Sequence, residues 1–442
     1  MDAVGLVVIA LGAAIVLAAA IWWVTQGRDG PTPPQPSGED PLALSPRADE
    51  PAAESPDVPT FRVVALGMNG AGKTVLLASQ ARKLLPAAGR RYHLASGLEQ
   101  DRLLAKLHRE VRDTSAPWPR ATRMGDTREF LFSCKASDRV HQQCTVFRIS
   151  YLDYPGEILE PSDVTLAAAE LEARVDDAHA LLLVLDGRRV LQLLRGEREG
   201  HEYFEDRLWP LLGLAHRATC PVQLIVSKWD LVRSFASTTD DDELLRQDDE
   251  LLRQVSKRLL DHIPAMKWLV HTHCQRGEEV RLIPVSAVGS RFAELCADGT
   301  VVKRADGRLD PINVDVPMCA VIPDLLKRVE RSLEPSVQRE LDEAIDRAPA
   351  GDVVSIAVSV LESRVGMLLR NALATMVGDV VVTLFVETLV RSRAHRVEPP
   401  PSDDAEAERR RLRVDVVKDM EKVVEDFEYR LPSSILCTRR LQ

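Results

Sequence analysis

The chain has 442 residues, 45% hydrophobic and 28% charged, with a formal net charge of −10. That length supports one large or two medium folded units with a substantial core. The acidic balance argues against general nucleic-acid binding, which needs a basic surface, and seven cysteines without repeated short spacings read as reduced thiols of a cytosolic compartment.

The first element is Val4 to Val24, VGLVVIALGAAIVLAAAIWWV, which carries no charge. As a helix this length spans roughly 30 Å, the hydrocarbon core of a bilayer, with Trp22 and Trp23 at headgroup level. A cleaved signal peptide fits less well, because the apolar run continues through Ala18 to Ala20 and no Lys or Arg precedes it. The expectation is a single-pass anchor at 4–24. Asp2 and Arg28 favour a cytoplasmic C-terminal side, at a bacterial inner membrane. Residues 25–60 are rich in Pro, Ala, Ser and acids and are expected to form a disordered tether.

Phe61 to Leu66 has strand composition, and the residues after Thr74 have helical spacing. Between them stands GMNGAGKT, a GxxxxGK[ST] pattern on a strand-to-helix turn. Gly67, Asn69, Gly70, Ala71, Gly72, Lys73, Thr74 and Val75 are expected to cradle phosphates. Lys73 would reach the β- and γ-phosphates and Thr74 would ligate Mg²⁺. Next, TVFRISYLDYPGE (145–157) reads as a strand ending at Asp153, placed to hold a Mg²⁺-bound water. Gly156 would offer an N–H to a γ-phosphate.

ALLLVLD (180–186) suits a buried parallel strand. PVQLIVSKWD (221–230) ends in Ser227, Lys228 and Asp230. An aspartate there can accept from guanine N1–H and N2–H₂ together, with the Lys228 stem along the base; adenine offers neither donor, so the pattern favours guanine. RLIPVSAVG (281–289) closes the series with Ser286, Ala287 and Val288, where the Ala287 N–H can meet guanine O6.

In this order the four motifs resemble the Ras-like GTPases of the translation-factor-related class. DYPGE, the preceding insert with WPRAT, and INVDVP before a helix are most similar to bacterial double-GTPase-type (DO-GTPase) domains. The resemblance implies a P-loop GTPase domain at 61–333, with a doubly wound, mostly parallel α/β sheet. It also implies GTP/GDP and Mg²⁺ as ligands. A signal-recognition-particle receptor β-subunit has a similar layout, an anchor followed by a small GTPase. The family also expects a switch threonine meeting Mg²⁺ and the γ-phosphate; Thr122 in APWPRAT is favoured over Thr114 and Thr127, since two prolines pre-set an extended loop that Trp118 can anchor. Arg120 is a weaker candidate for an arginine finger. Lys73, Thr122, Gly156 and Glu157 form the expected catalytic group. Glu157 replaces the Gln of many members, and a carboxylate beside a γ-phosphate is repelled, so slow intrinsic hydrolysis is expected.

The heptad repeat DELLRQD–DELLRQV (242–255) suits a helix packed on the sheet more than a coiled coil. His271, His273 and Cys274 are too few and too local for a metal site. Residues 334–442 read as a helical extension, with charges at Glu362, Arg364, Arg370, Asp379 and Glu387 that disfavour a second span. It offers a surface for homo-oligomerisation or an effector, and Arg409 to Arg413 a basic face for anionic lipid or solvent. The expected whole is a nucleotide-controlled switch that recruits a protein partner at the membrane. A receptor-like scaffold with little hydrolysis is the alternative, and a P-loop ATPase the more distant one.

Overall fold

Among the described residues, seven strands form one sheet in the order β2-β3-β4-β1-β5-β6-β7. They are β1 (Thr60–Leu66), β2 (Tyr92–Ala95), β3 (Arg128–Ser137), β4 (Gln143–Asp153), β5 (Ala180–Leu185), β6 (Val222–Val226) and β7 (Val280–Pro284). The computed structural model describes residues 58–86, 90–120, 127–137, 142–154, 166–235, 241–296, 299–348, 351–393 and 405–437. The anchor expected at 4–24, nearly all of the tether, and the candidates Thr122, Gly156 and Glu157 lie outside these residues.

β4, β1, β5, β6 and β7 run parallel, while β3 pairs antiparallel with β2 and β4. Every residue of β5, β6 and β7 is buried, which requires cover on both faces and fits their largely apolar sequences, interrupted only by Gln223 of β6 and Arg281 of β7. The mostly parallel α/β class is therefore the one the motifs led us to expect. The parallel strands also end together: Ala65 is level with Asp153 and with Leu182, and Leu183 with Leu224. The loops that follow them share one pole of the sheet.

The helices in order are α1 (Lys73–Lys83), α2 (Leu98–Arg112), α3 (Leu166–Asp176), α4 (Gly187–Leu194), α5 (Arg198–Glu202), α6 (Trp209–Arg217), α7 (Trp229–Arg233), α8 (Asp241–His262) and α9 (Pro264–Gln275). A small antiparallel pair, β8 (Ala293–Leu295) and β9 (Val301–Lys303), precedes α10 (Val316–Ser332). Then come α11 (Pro335–Arg347), α12 (Val353–Glu362), α13 (Arg364–Val377), α14 (Asp379–Arg393) and α15 (Ala405–Arg430). The heptad repeat lies in α8, whose Leu251, Leu252, Val255 and Leu259 join the main core. Among the described residues no helix is long and apolar enough to cross a membrane.

Residues 57–442 make one compact unit, with α15 packed along α10 and reaching β4. Its attachments to Val146 of β4 and Arg281 of β7 sit near the start of those strands. At a register shift between Cys134 and Lys135, β4 has an extra residue, Val146, and its carbonyl accepts from Arg413 Nε at 2.9 Å. This is the backbone group a bulge leaves without a ladder partner. Arg281 of β7 is fully buried; it donates to Asp324 of α10 at 3.0 Å and pairs with Glu428 of α15.

Two expectations are corrected here. The basic run on α15 is not offered to lipid or solvent: Arg410 donates to the fully buried Glu387 at 2.5 Å, Arg409 pairs with Glu406 at 3.0 Å, and Arg411 lies 3.4 Å from Glu408. Packing against α14 supplies Glu387 to Arg410, while Arg409 and Arg411 each meet an acid one turn earlier on α15 itself. Nor are all cysteines free thiols. Cys274 and Cys437 form a disulfide across 163 positions, because the segment after α15 folds back on β7 and α9. Ile435 bridges Arg281, Leu436 N donates to Val280 O at 3.0 Å, and Ser433 N donates to Asp249 at 2.8 Å. Cys134, Cys144, Cys220, Cys296 and Cys319 stand outside this disulfide.

Candidate functional site

The chain leaves β1 through Gly67, where an added Cβ would stand 2.6 Å from the carbonyl oxygen of Val184. Only glycine allows that approach. Gly70 and Gly72 then take φ of 78° and 91°, the left-handed turn that opens α1. Lys73, 7% exposed, curls back to donate to Gly67 O at 2.6 Å. Burial pushes its ammonium below the usual lysine range while Asp153 pulls it back up. Thr74 Oγ1 donates to Asp153 Oδ2 at 3.2 Å, so the two candidate metal ligands, on α1 and β4, already touch. A hydroxyl and a carboxylate are the hard oxygen donors that suit Mg²⁺.

The other end of the site is built from the ends of β6 and β7. Ser227 Oγ lies 2.7 Å from Ala71 O and 3.0 Å from Leu185 O, fastening this motif to the phosphate loop. Lys228 adopts φ 50°. Its Nζ meets Gly70 O at 2.8 Å and Asp186 Oδ1 at 2.9 Å, so its stem spans between the two motifs. Trp229 points away into the core with no exposed surface, and its indole donates to Asp248 at 2.9 Å. Asp230 is thereby turned toward the cleft.

Asp230 Oδ1 accepts from Ser286 Oγ at 2.5 Å, and Ser286 Oγ accepts from Gly289 N at 2.8 Å. Burial raises the Asp230 carboxyl above its ordinary value and the Ser286 hydroxyl opposes this. Ala287 O takes Ser79 Oγ of α1 at 3.1 Å. The loop after β7 is thus tied both to the loop after β6 and to α1.

Residues from these loops line one cleft of about 250 Å³, with Asp153 and Ser286 outside its lining. Asn69, Gly70, Gly72, Lys73, Thr74 and Val75 line it from the phosphate side, Ser227, Lys228 and Asp230 from β6, and Ala287 and Val288 from β7. Trp118, Pro119 and Arg120 line its remaining side. The indole of Trp118 is anchored, donating to Val301 O at 2.8 Å. Gly67 and Ala71 sit just behind the lining. His273, by contrast, is a core residue bonded to Glu278 and, at 2.8 Å, to Ala215 O; among the described residues no cluster of three or more His, Cys, Asp or Glu could hold a metal ion.

Sequence reasoning missed three contributors. Asp186 had a signal, an acid directly after a buried strand, where it caps α4 by accepting from Arg188 N at 3.0 Å. Asp248 had none, since one acid in a charged heptad looks like the others, yet it holds both Trp229 and Arg233. Lys303 comes from a hairpin that no motif announces.

No family model matches the sequence, and no curated protein matches it. Among solved structures, the chain is similar to translation elongation factor SelB from Methanococcus maripaludis with a GTP analogue, at 13% identity and a TM-score of 0.23, over 52% of this chain and 30% of that one. It is also similar to an Era variant of Aquifex aeolicus bound to GDP and aluminium fluoride, at 14% identity and TM-score 0.24, over 52% of each chain. The GTPase-like domain of S. cerevisiae Ski7 bound to GTP aligns at 14% identity and TM-score 0.29, over 64% of this chain and 52% of that one. The chain thus spans less than a third of the length of SelB.

Proposed function

We propose that this chain is a Mg²⁺-dependent guanine-nucleotide-binding protein and a slow GTPase of the DO-GTPase type, held at a membrane by residues 4–24 and acting as a switch for a protein partner. The observation that carries the reading is the Asp230 carboxylate, aimed into the cleft that holds Lys73 and Thr74 and fixed by Ser286 at 2.5 Å. A carboxylate so placed is matched by guanine N1–H and N2–H₂ and by no donor pair on adenine.

In this reading the P-loop amides and the α1 N-terminus take the phosphates. Thr74 and Asp153 hold Mg²⁺, which supplies charge neutralisation at the β- and γ-phosphates. Lys73 exchanges its Gly67 contact for phosphate oxygens. Glu157 in place of a glutamine leaves the attacking water poorly oriented, which supports slow turnover.

The test uses labelled GTP and ATP on the purified chain, followed by phosphate release. GTP preference lost in Asp230→Ala supports the reading, and equal binding of ATP removes it. Binding without any phosphate release turns the switch into a nucleotide-holding scaffold.

A further inference from the structure

The segment from Gly289 to Asp310 leaves the guanine motif and returns to it. Its base is closed by Asp310 N on Val288 O at 3.0 Å and by paired bonds between Ser286 and Ile312. At Gly289, φ 84°, an added Cβ would stand 2.2 Å from Asp310 O. The excursion is therefore seated on the same strand end that orients Asp230, and it carries the β8–β9 hairpin.

The hairpin reaches across the cleft to the loop after α2. Val301 O takes the Trp118 indole N–H at 2.8 Å, and the ring meets buried Phe292 edge-on at 6.2 Å. Lys303 Nζ lies 4.9 Å from the Trp118 ring centroid. The same ammonium donates to Glu110 O at 2.6 Å and Asp113 O at 2.9 Å, at the end of α2. One cation thus caps a helix terminus and covers an aromatic face, both favourable places for a positive charge. Val288, Phe292 and Ala293 form a small core of their own with Trp118 and Val301 against it, and Trp118, Ala293 and Val301 face the cleft that Asp230 lines.

We propose that the β8–β9 hairpin is a clasp, with Lys303 as its pin, that holds the Trp118 loop over the base and thereby slows escape of the nucleotide. This rests on the nucleotide reading of the cleft. Every contact of the clasp is between protein groups, so it closes over a diphosphate as well as a triphosphate. Release then requires the hairpin and the loop to part, and a partner that displaced Lys303 would act as an exchange factor without touching phosphate. Lys303 is a positioning residue; it acts through Trp118.

The experiment loads the full chain with radiolabelled GDP or ADP, chases with unlabelled nucleotide, and compares wild type with Lys303→Ala, Lys303→Met and Lys303→Arg. Loss of one charged anchor of a lid should speed GDP release by about tenfold in the Ala and Met variants, with association altered far less and the melting temperature of Lys303→Met near wild type. Arg should restore slow release. GDP retained at an unchanged rate by Lys303→Ala overturns the clasp and leaves the guanine reading standing. Retention of ADP instead, with release still hastened by Lys303→Ala, supports the clasp and removes the guanine reading. Retention of neither nucleotide by wild type overturns both.

Discussion

Ser227 Oγ stands 2.7 Å from the carbonyl oxygen of Ala71, a bond that joins the base motif at the end of β6 to the middle of the phosphate loop. It is buried, so truncating the hydroxyl leaves a carbonyl short of a partner that water does not readily replace. Ser227→Ala should cost about 1 kcal/mol of stability. It should also weaken GDP and GTP alike by about tenfold, since phosphate and base ends lose their common fastening. Ser227→Thr keeps the hydroxyl and should stay within threefold, or about 0.6 kcal/mol, of wild type. Calorimetric titration of both variants decides; an Ala variant with wild-type affinity would show that the two motifs are held independently.

Asp230 offers a test of the base rather than the phosphates. An asparagine accepts from N1–H but presents an amide donor where guanine also has a donor, and xanthine has a carbonyl there. Asp230→Asn should therefore lose at least about 100-fold in GDP affinity and prefer xanthosine diphosphate. The wild-type site should also lose guanine as the solution is acidified, and at a higher pH than an ordinary carboxylate would dictate, because burial raises this carboxyl and its protonated form has lost an acceptor. A competition assay across pH measures both effects.

His179 links stability to pH. Its Nδ1 accepts from Arg62 N at 3.0 Å, and its ring meets Phe61 edge-on at 5.7 Å. Burial, with a smaller push from Arg62, lowers its pKa from 6.5 to about 4. The unfolded chain then binds the extra proton first as pH falls. The contribution of neutral His179 is whole above 6.5 and is lost as pH drops toward 4, on the order of 3 kcal/mol at most. Urea unfolding at pH 7 and pH 5 should show part of this drop, about 2 kcal/mol, in wild type and a shallower one in His179→Asn, which keeps an acceptor. Equal drops in the two proteins would exclude the assignment.

The Cys274–Cys437 bond closes a loop of 163 positions, and long loops gain most from closure. Reduction, or Cys437→Ser, should lower stability by about 2–4 kcal/mol. Wild type should melt lower in reductant while Cys437→Ser melts alike with and without it. Identical wild-type melts in both conditions, with no cross-linked peptide in a non-reducing digest, would rule the bond out.

The sheet and the four loops around the cleft could be read from sequence because they are local. A run such as ALLLVL declares a doubly covered strand, and the residue after each strand lands at the same pole once the strands are parallel. Asp153, Asp230 and Ser286 were legible for that reason. What the sequence hid depends on contacts between distant segments. Arg413 looked like part of a basic stripe, and only the bulge at Val146 gives it a buried carbonyl to serve. Trp118 was legible as an anchor but its berth on Val301 was not, since β8 and β9 have three residues each and carry no periodicity. Thr122, Gly156 and Glu157 lie outside the described residues, and the expectations placed on them stand as proposals.

The return of the chain along β7 has a further consequence. An uncovered edge strand invites pairing with another molecule's backbone, and β7 stands at the margin of the sheet with all five residues buried. Leu436 occupies the Val280 carbonyl and Ile435 bridges Arg281, so that margin is already spoken for along its first turn of the ladder. At the opposite margin β2 is only four residues long, a length that gives a docking strand little to hold. Among the described residues the sheet is thus partly blunted at both rims, by a covered start on one side and a short strand on the other, which disfavours its lengthening by an added strand.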